Sequence, residues 1–153
     1  MDAKITTQIK QFFIGIDRAQ LTKRVAGTKK KKILLVEQAE DWQELLTLVI
    51  RRSGYELVEA NTGQKALVEA KSVIPDLILL DLGLPSMSGF EVMAELKRHS
   101  ATKNIPVLVQ TDHGNKEHVG RAIKAGAKDV LYKPFDLGDL PTILRNHLSV
   151  STT

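Results

Sequence analysis

A single carboxylate closes the most apolar stretch of the sequence. Residues 77–80 read LILL, Asp81 follows them, and a loop containing Gly83, Pro85 and Gly89 comes next. A carboxylate exposed at the end of a strand has the chemistry of a nucleophile. Taken alone, Asp81 could also be an ordinary loop residue, so its meaning depends on the side chains that the fold places beside it.

Other polar side chains also stand where apolar segments end. Glu37 and Gln38 follow the segment KILLV, Thr111 closes IPVLVQT, and Lys133 with Pro134 follows DVLY. Each has a plainer interpretation when taken alone: a threonine after a strand is often a loop hydroxyl, and a lysine before a proline is often a solvated turn residue. Together they become informative if one fold brings these segment ends to the same place.

The elements that would position these side chains alternate regularly along the chain. Apolar runs predict strands at residues 32–37, 55–60, 76–81, 105–111 and 129–132. Helical spacing predicts helices at residues 41–54, 62–73, 89–100, 116–127 and 137–148, the first opening on the capping-box spacing of Asp41 and Glu44. This alternation predicts an α/β fold with a five-stranded, doubly wound parallel sheet. Ligands in such sheets bind at the carboxyl ends of the strands.

Composition and charge narrow the class of protein. The chain has 153 residues, 42% of them apolar, which suits one domain. It has no cysteine, which excludes disulfides and thiolate metal sites, and no apolar stretch of membrane-spanning length. Residues 1–32 carry nine basic and two acidic side chains, whereas the rest has a net charge of −3. The basic excess therefore gives little support for a nucleic-acid-binding fold.

The N-terminal part differs in pattern from the rest. We predict a basic amphipathic extension at residues 1–30 and the folded domain at residues 31–150. Large apolar side chains recur in the extension at helical spacing: Ile5, Ile9, Phe12 and Ile16. Such side chains are costly to leave in water. We therefore expect the extension to pack against protein, either its own domain or a second copy in a homodimer, and membrane binding is the less favoured interpretation.

Three motifs, in order along the chain, carry a family resemblance. LILLDLGLPSMSG, IPVLVQT and AGAKDVLYKPF closely resemble the receiver domain of two-component response regulators, the CheY-like form of the flavodoxin-like fold. The resemblance runs from about residue 32 to residue 148. It implies that Asp81 is the phosphoacceptor, taking a phosphoryl group from a phosphohistidine of a histidine kinase or phosphotransfer protein. It also implies that Thr111 hydrogen-bonds the phosphoryl group and that the ammonium of Lys133 offsets its charge.

The same resemblance implies a Mg²⁺ site, and here the sequence departs from the family. The ligands would be Glu37, Gln38, Asp81 and the backbone carbonyl of Gly83. The family has an acid where Gln38 stands, and an amide carries no charge, so we expect weakened Mg²⁺ binding. Asp112 stands where a small residue is usual. Either it supplies the missing charge, or it turns to solvent or caps the following helix, which is the favoured interpretation.

The resemblance also bears on the signalling switch. Many receivers report activation through an aromatic side chain at the position that is Val130 here, and strand alternation points Tyr132 to the other face. Pro134 matches the family's cis proline. Any output of this chain would therefore use movement of the loop and of the helix after the fourth strand, without that ring.

Two functions follow from these observations, and both remain open at this point. The first is a stand-alone response regulator receiver that is phosphorylated on Asp81 and signals through a downstream protein in the cytoplasm, with no DNA-binding domain. The second is a pseudo-receiver that is not usefully phosphorylated and acts as a constitutive docking or dimerisation module. The presence of Thr111 and Lys133 favours the first, and Gln38 favours the second.

An enzyme on the same fold is the third interpretation, and the sequence argues against it. A phosphatase of the haloacid dehalogenase type would need a second aspartate where Gly83 stands. A nucleotide or flavin site would need a glycine-rich phosphate loop after the first strand, and EQAEDW has none. Slow self-dephosphorylation is the only catalysis that we expect.

Overall fold

A computed structural model of the chain describes residues 29–112 and 116–148. Its parallel strands lie in the order β2-β1-β3-β4-β5, which confirms the predicted α/β sheet. A 3₁₀ turn at Leu137–Asp139 precedes the last helix. In chain order the elements are β1 (Lys32–Val36), α1 (Glu40–Arg52), β2 (Glu56–Ala60), α2 (Gly63–Val73), β3 (Leu77–Asp81), α3 (Gly89–Arg98), β4 (Val107–Asp112), α4 (Lys116–Lys124), β5 (Asp129–Lys133) and α5 (Leu140–Leu148).

Both faces of the sheet are covered by helices, so the central strands are continuous apolar runs. All five residues of β3 are buried, and so are four of the five in β1. On one face the sheet packs against small and aliphatic side chains of α2, α3 and α4. On the other face it packs against α1 and α5, and Trp42 in the first turn of α1 belongs to this core. The strand ends are thereby fixed between two packed layers.

The predicted capping box at the start of α1 is wrong. The N-cap residue is Ala39, and it makes no side-chain cap hydrogen bond. The helix begins at Glu40, which places Asp41 inside the first turn rather than before it. Both acids still interact favourably with the positive end of the helix dipole. At the other end, Gly54 follows the helix with a φ of 94°, a conformation that glycine adopts without strain.

The loop after β3 is pressed tightly against the start of α3. The backbone N–H of Gly89 donates to the carbonyl of Leu82 at 3.1 Å. A β-carbon at Gly89 would lie 2.6 Å from the Cα of Leu82 and 2.7 Å from the carbonyl oxygen of Asp81. Ser88 caps α3 by accepting a hydrogen bond from the N–H of Glu91 at 3.2 Å. Only glycine fits at residue 89 without moving this loop.

The predicted extension lies outside the described residues, apart from Lys29 and Lys30. Its helix, its packing and its role in a homodimer therefore stay predictions. Within residues 29–112 and 116–148, no helix is both long enough and apolar enough to cross a bilayer.

Candidate functional site

Asp81 ends β3 at the carboxyl edge of the sheet, and its carboxylate is held from two sides. Its Oδ1 accepts a hydrogen bond from the backbone N–H of Gly83 at 3.0 Å. Its Oδ2 accepts one from the Lys133 ammonium at 3.2 Å. The residue is only 6% exposed, so the carboxylate is buried at the sheet edge, and the two hydrogen bonds fix its orientation.

Glu37 lies beside Asp81 and shares its cation. The Oε1 of Glu37 is 2.7 Å from the Lys133 ammonium nitrogen, and the residue is 1% exposed. Its Oε2 accepts from the backbone N–H groups of Gln38 at 3.0 Å and Ala39 at 3.4 Å. One ammonium therefore bridges two buried carboxylates, and Glu37 also holds the backbone that leads into α1.

The electrostatics of this trio follow from burial and from the shared cation. Burial raises the pKa of the Glu37 carboxyl to about 7, with the neighbouring Asp81 adding to the rise and Lys133 opposing it. Burial alone would lower the pKa of Lys133, but its contacts with Glu37 and Asp81 outweigh burial and raise this pKa above its usual value. Lys133 is thus charged near neutral pH, whereas Glu37 takes up a proton there readily.

The predicted metal ligands are only partly brought together. Glu37 and Asp81 share the ammonium of Lys133, whereas the Gln38 side chain is exposed. Gln38 lines a neighbouring open cavity of about 340 Å³ between α1 and the end of β2, which Glu37 also borders; the other polar side chains there are those of Glu40, Gln43, Glu59, Asn61 and Lys65. In the part of the chain that the structure describes, no three acid or histidine side chains are grouped to hold a metal ion.

The donor set nevertheless suits a weakly held Mg²⁺. This ion often takes only one or two carboxylates from a protein and completes its octahedron with water and substrate phosphate oxygens. Glu37 and Asp81 supply two such carboxylates, and the Gly83 carbonyl follows Asp81 closely in the chain. The third negative charge is missing at Gln38, so the expected weakness of binding rests on the chemistry of the ligands.

Thr111 is buried at the end of β4, one residue beyond the partner of Asp81 in the ladder. The register pairs Asp81 with Gln110 and Thr111 with Tyr132. Thr111 is 3% exposed, and its hydroxyl oxygen lies 3.1 Å from Nδ1 of His118 on α4. The sheet edge thus brings the hydroxyl next to the carboxylate site, with its hydrogen bond directed to α4.

Asp112 and Val130, where the sequence departs from the receiver domains that it resembles, lie at the surface and against the core, respectively. Asp112 is exposed at the end of β4, in keeping with the favoured interpretation of this residue. Val130 packs against the core shared with α2, α3 and α4. Tyr132 is half-buried on β5. Pro134 is not a departure, since the Lys133–Pro134 bond is cis as the resemblance implies.

Sequence reasoning missed one buried polar pair beneath the site. The indole N–H of Trp42 donates to Oε1 of Gln110 at 2.7 Å, and Gln110 is fully buried. Among the described residues, the Nε2 of Gln110 finds no hydrogen-bond acceptor. Phe135 packs edge-on against Trp42, with ring centroids 5.1 Å apart. The signal was present in IPVLVQT, where a glutamine interrupts an apolar run of the kind that is buried on both faces.

His118 was missed as well, and its signal was weaker. In the segment KEHVGRAIKAGA it is one polar residue among several at the start of a helix. Nothing in that pattern indicates a contact with Thr111, because the contact depends on how α4 is placed against the end of β4.

Comparison with known proteins shows what the chain is similar to. The family model of the response regulator receiver domain matches residues 33–145. The chain is 37% identical over 110 residues to the phosphate regulon transcriptional regulatory protein PhoB of Escherichia coli, a match that covers 72% of this chain and 48% of that protein. It is 38% identical over 113 residues to the KDP operon transcriptional regulatory protein KdpE of the same organism, covering 74% and 49%. The chain therefore spans about half the length of these curated relatives.

Solved structures give the same picture. A putative response regulator from Chloroflexus aurantiacus superposes with a TM-score of 0.76 at 32% identity, covering 79% of this chain and 99% of that one. The receiver domain of a sensor histidine kinase from Pseudomonas aeruginosa, solved with a magnesium ion coordinated in its active site cleft, gives 0.73 at 26% identity, covering 79% and 99%.

Proposed function

The chain belongs to the response regulator receiver family, and we propose that Asp81 accepts a phosphoryl group from a phosphohistidine of a histidine kinase or phosphotransfer protein. One observation carries the proposal: the Lys133 ammonium contacts Oδ2 of Asp81 and Oε1 of Glu37 at the carboxyl edge of the sheet. A cation next to a fixed carboxylate is what phosphoryl transfer to that carboxylate needs.

The step makes and breaks one bond each. An oxygen of the Asp81 carboxylate attacks the phosphorus, an oxygen–phosphorus bond forms, and the nitrogen–phosphorus bond of the phosphohistidine breaks. The imidazole leaves with the electron pair of that bond and takes up a proton. The product is an acyl phosphate on Asp81. Because transfer passes through a state with charge spread over the phosphoryl oxygens, positioning and opposite charge supply most of the catalysis.

The residues of this chain divide the work between orientation and charge. The Gly83 N–H fixes Oδ1 of Asp81. Lys133 neutralises Asp81 before transfer and the phosphoryl oxygens after it. The raised pKa of Glu37 lets it take up a proton when Lys133 moves toward the phosphoryl group, which limits the negative charge in the pocket. When Glu37 is ionised instead, Glu37 and Asp81 would hold a Mg²⁺, which would supply positive charge to the phosphoryl oxygens.

For the output we propose a contact with a downstream protein. Ile123 on α4 is 51% exposed, which places a large apolar side chain on the helix that follows Thr111. A partner that covers this helix would sense a change at the end of β4. The alternative is a pseudo-receiver, favoured by the exposed, uncharged Gln38 at the metal-ligand position.

One experiment separates the two. The native chain is incubated with Mg²⁺ and a small phosphodonor, such as a phosphoramidate, and its intact mass is measured beside Asp81→Asn and Gln38→Asp proteins. We expect the native chain to gain one phosphoryl group and Asp81→Asn to gain none. A native chain that gains nothing, while Gln38→Asp gains one, would identify a pseudo-receiver.

A further inference from the structure

The hydroxyl of Thr111 is engaged by a histidine from a different element. Its oxygen lies 3.1 Å from Nδ1 of His118, in the first turn of α4. Thr111 is almost completely buried and His118 is half-buried. A threonine hydroxyl has a single proton to donate. When the imidazole carries its own proton on Nε2, Nδ1 accepts the one hydrogen bond that the Thr111 hydroxyl can donate.

The other side of the His118 ring is equally defined. The ring packs edge-on against Phe90, with centroids 5.4 Å apart and an interplanar angle of 77°. The guanidinium carbon of Arg121 lies 4.0 Å from the centroid of Phe90, in a cation–π contact. Phe90 follows Gly89, whose backbone is pressed against the loop after Asp81. His118 therefore stands between the Thr111 hydroxyl and an aromatic contact that joins α3 to α4.

A phosphoryl group on Asp81 would compete for the Thr111 proton. The strands β3 and β4 are neighbours in the sheet, about 4.8 Å apart. Phosphorylation of Asp81 would place acceptor oxygens beyond the sheet edge, where Thr111 is the next residue after the ladder partner of Asp81. The hydroxyl can donate to a phosphoryl oxygen or to Nδ1 of His118, but not to both at once.

We propose that His118 is the positioning residue that couples a phosphoryl group on Asp81 to the α3–α4 surface. The Thr111 hydroxyl donates its hydrogen bond to Nδ1 of His118 when the phosphoryl group is absent, and to a phosphoryl oxygen when it is present. The proposal rests on the proposed function of Asp81. With the group absent, the hydroxyl holds the ring against Phe90. With the group present, the ring loses this hydrogen bond, and its contact with Phe90 and the neighbouring Arg121 rearranges.

Two substitutions separate the hydrogen bond from the packing. His118→Phe keeps a ring against Phe90 but has no acceptor for Thr111. His118→Asn loses the ring but places an amide oxygen close to where Nδ1 stands, so it can still accept. If the hydrogen bond carries the coupling, asparagine preserves it and phenylalanine abolishes it. If His118 acts only by packing, phenylalanine preserves the coupling and asparagine abolishes it.

The test loads the full chain with beryllofluoride and Mg²⁺, a mimic of the phosphoryl group, and follows it by NMR. A bound ¹⁹F signal reports loading of Asp81, ring ¹⁵N shifts report the tautomer of His118, and the Arg121 side-chain N–H reports the α3–α4 surface. We expect an unprotonated Nδ1 before loading. On loading we expect a shift of both the His118 ring and the Arg121 signal, with the Arg121 shift kept in His118→Asn and lost in His118→Phe.

The contradicting outcomes are distinct from one another. A bound ¹⁹F signal with an unmoved His118 ring overturns the coupling and leaves the phosphoacceptor intact. A proton on Nδ1 before loading overturns the exchange. The absence of bound fluoride in the native chain overturns both the coupling and the proposed function beneath it.

Discussion

The ammonium nitrogen of Lys133 lies closer to Glu37 than to Asp81, at 2.7 Å against 3.2 Å. The lysine therefore forms an ion pair with Glu37, which is not the proposed phosphoacceptor, as well as with Asp81. Glu37 is also tied to the backbone N–H groups at the start of α1. Lys133 thus links the two carboxylates, and phosphorylation would draw it away from Glu37.

The first prediction concerns pH. Because burial raises the pKa of Glu37 from 4.5 to about 7, the folded protein binds this proton more tightly than the unfolded chain does. The resulting stability is fully present below about pH 4.5 and is lost as the pH rises through about 7. Glu37→Gln should remove this loss, so that the free energy of unfolding falls less steeply between these pH values than in the native chain.

The measurement is urea unfolding at a series of pH values. Glu44→Gln, at an exposed position of α1, is the matched control and should keep the native pH dependence. A Glu37→Gln protein with the same slope as the native chain would show that Glu37 does not titrate in this range.

The second prediction concerns Gln38. An added carboxylate at about 4 Å from a bound ion contributes on the order of 4 kcal/mol per unit charge at an effective dielectric of 20, and desolvation takes back much of this gain. Gln38→Asp should therefore bind Mg²⁺ at least roughly tenfold more tightly. Calorimetric titration measures the affinity. Asn61→Asp adds the same charge to the neighbouring cavity and should change the Mg²⁺ affinity far less. Equal gains in affinity for the two variants would show that the ion does not bind beside residue 38.

The third prediction concerns the buried pair of Trp42 and Gln110. Gln110→Leu leaves the indole N–H without its acceptor, which should cost about 1–3 kcal/mol of unfolding free energy. Trp42→Phe leaves the glutamine oxygen unpaired in turn. Because each single change leaves the other polar group buried without its partner, the double variant should lose less unfolding free energy than the two single variants together. Additive losses in urea unfolding would mean that the 2.7 Å hydrogen bond contributes nothing.

The fourth prediction concerns the loop after Asp81. Gly89→Ala would place a β-carbon 2.6 Å from the backbone of Leu82, so the loop must move, at a cost of roughly 1–3 kcal/mol. Gly120→Ala is the control on α4, because nothing lies within 4 Å of its new methyl group. It should stabilise the helix by roughly 0.5–1 kcal/mol. Thermal unfolding of the two proteins should therefore shift in opposite directions, and a Gly89→Ala protein as stable as the native chain would contradict the close approach.

The sequence predicts the architecture well because its signals are local. Apolar runs bounded by glycine, proline and polar residues set the strands, and helical spacing set the helices between them. The positions of Glu37, Asp81, Thr111 and Lys133 at one sheet edge follow from parallel strand ends alone. The error at Asp41 is also local, because capping-box spacing cannot tell a cap from a first helical turn.

The contacts within the site were beyond the reach of the sequence. The sharing of Lys133 between two acids depends on the sheet order, which places β3 between the strand of Glu37 and the strands that follow. The link from Thr111 to His118 depends on how α4 packs against the end of β4. Gln110 could have been marked as a polar residue in a core position, but its partner lies 68 residues away in the chain.

The central claim is that Asp81 becomes an acyl phosphate, and hydroxylamine tests it most directly. This nucleophile cleaves an acyl phosphate and leaves a hydroxamate on the aspartate, whereas phosphoserine and phosphothreonine do not react. After incubation with a phosphodonor and Mg²⁺, the treated native chain is digested and its peptides are mapped by mass spectrometry. We predict a hydroxamate at Asp81 and at no other residue. A phosphorylated chain without a hydroxamate, or with one at another carboxylate, would contradict the account.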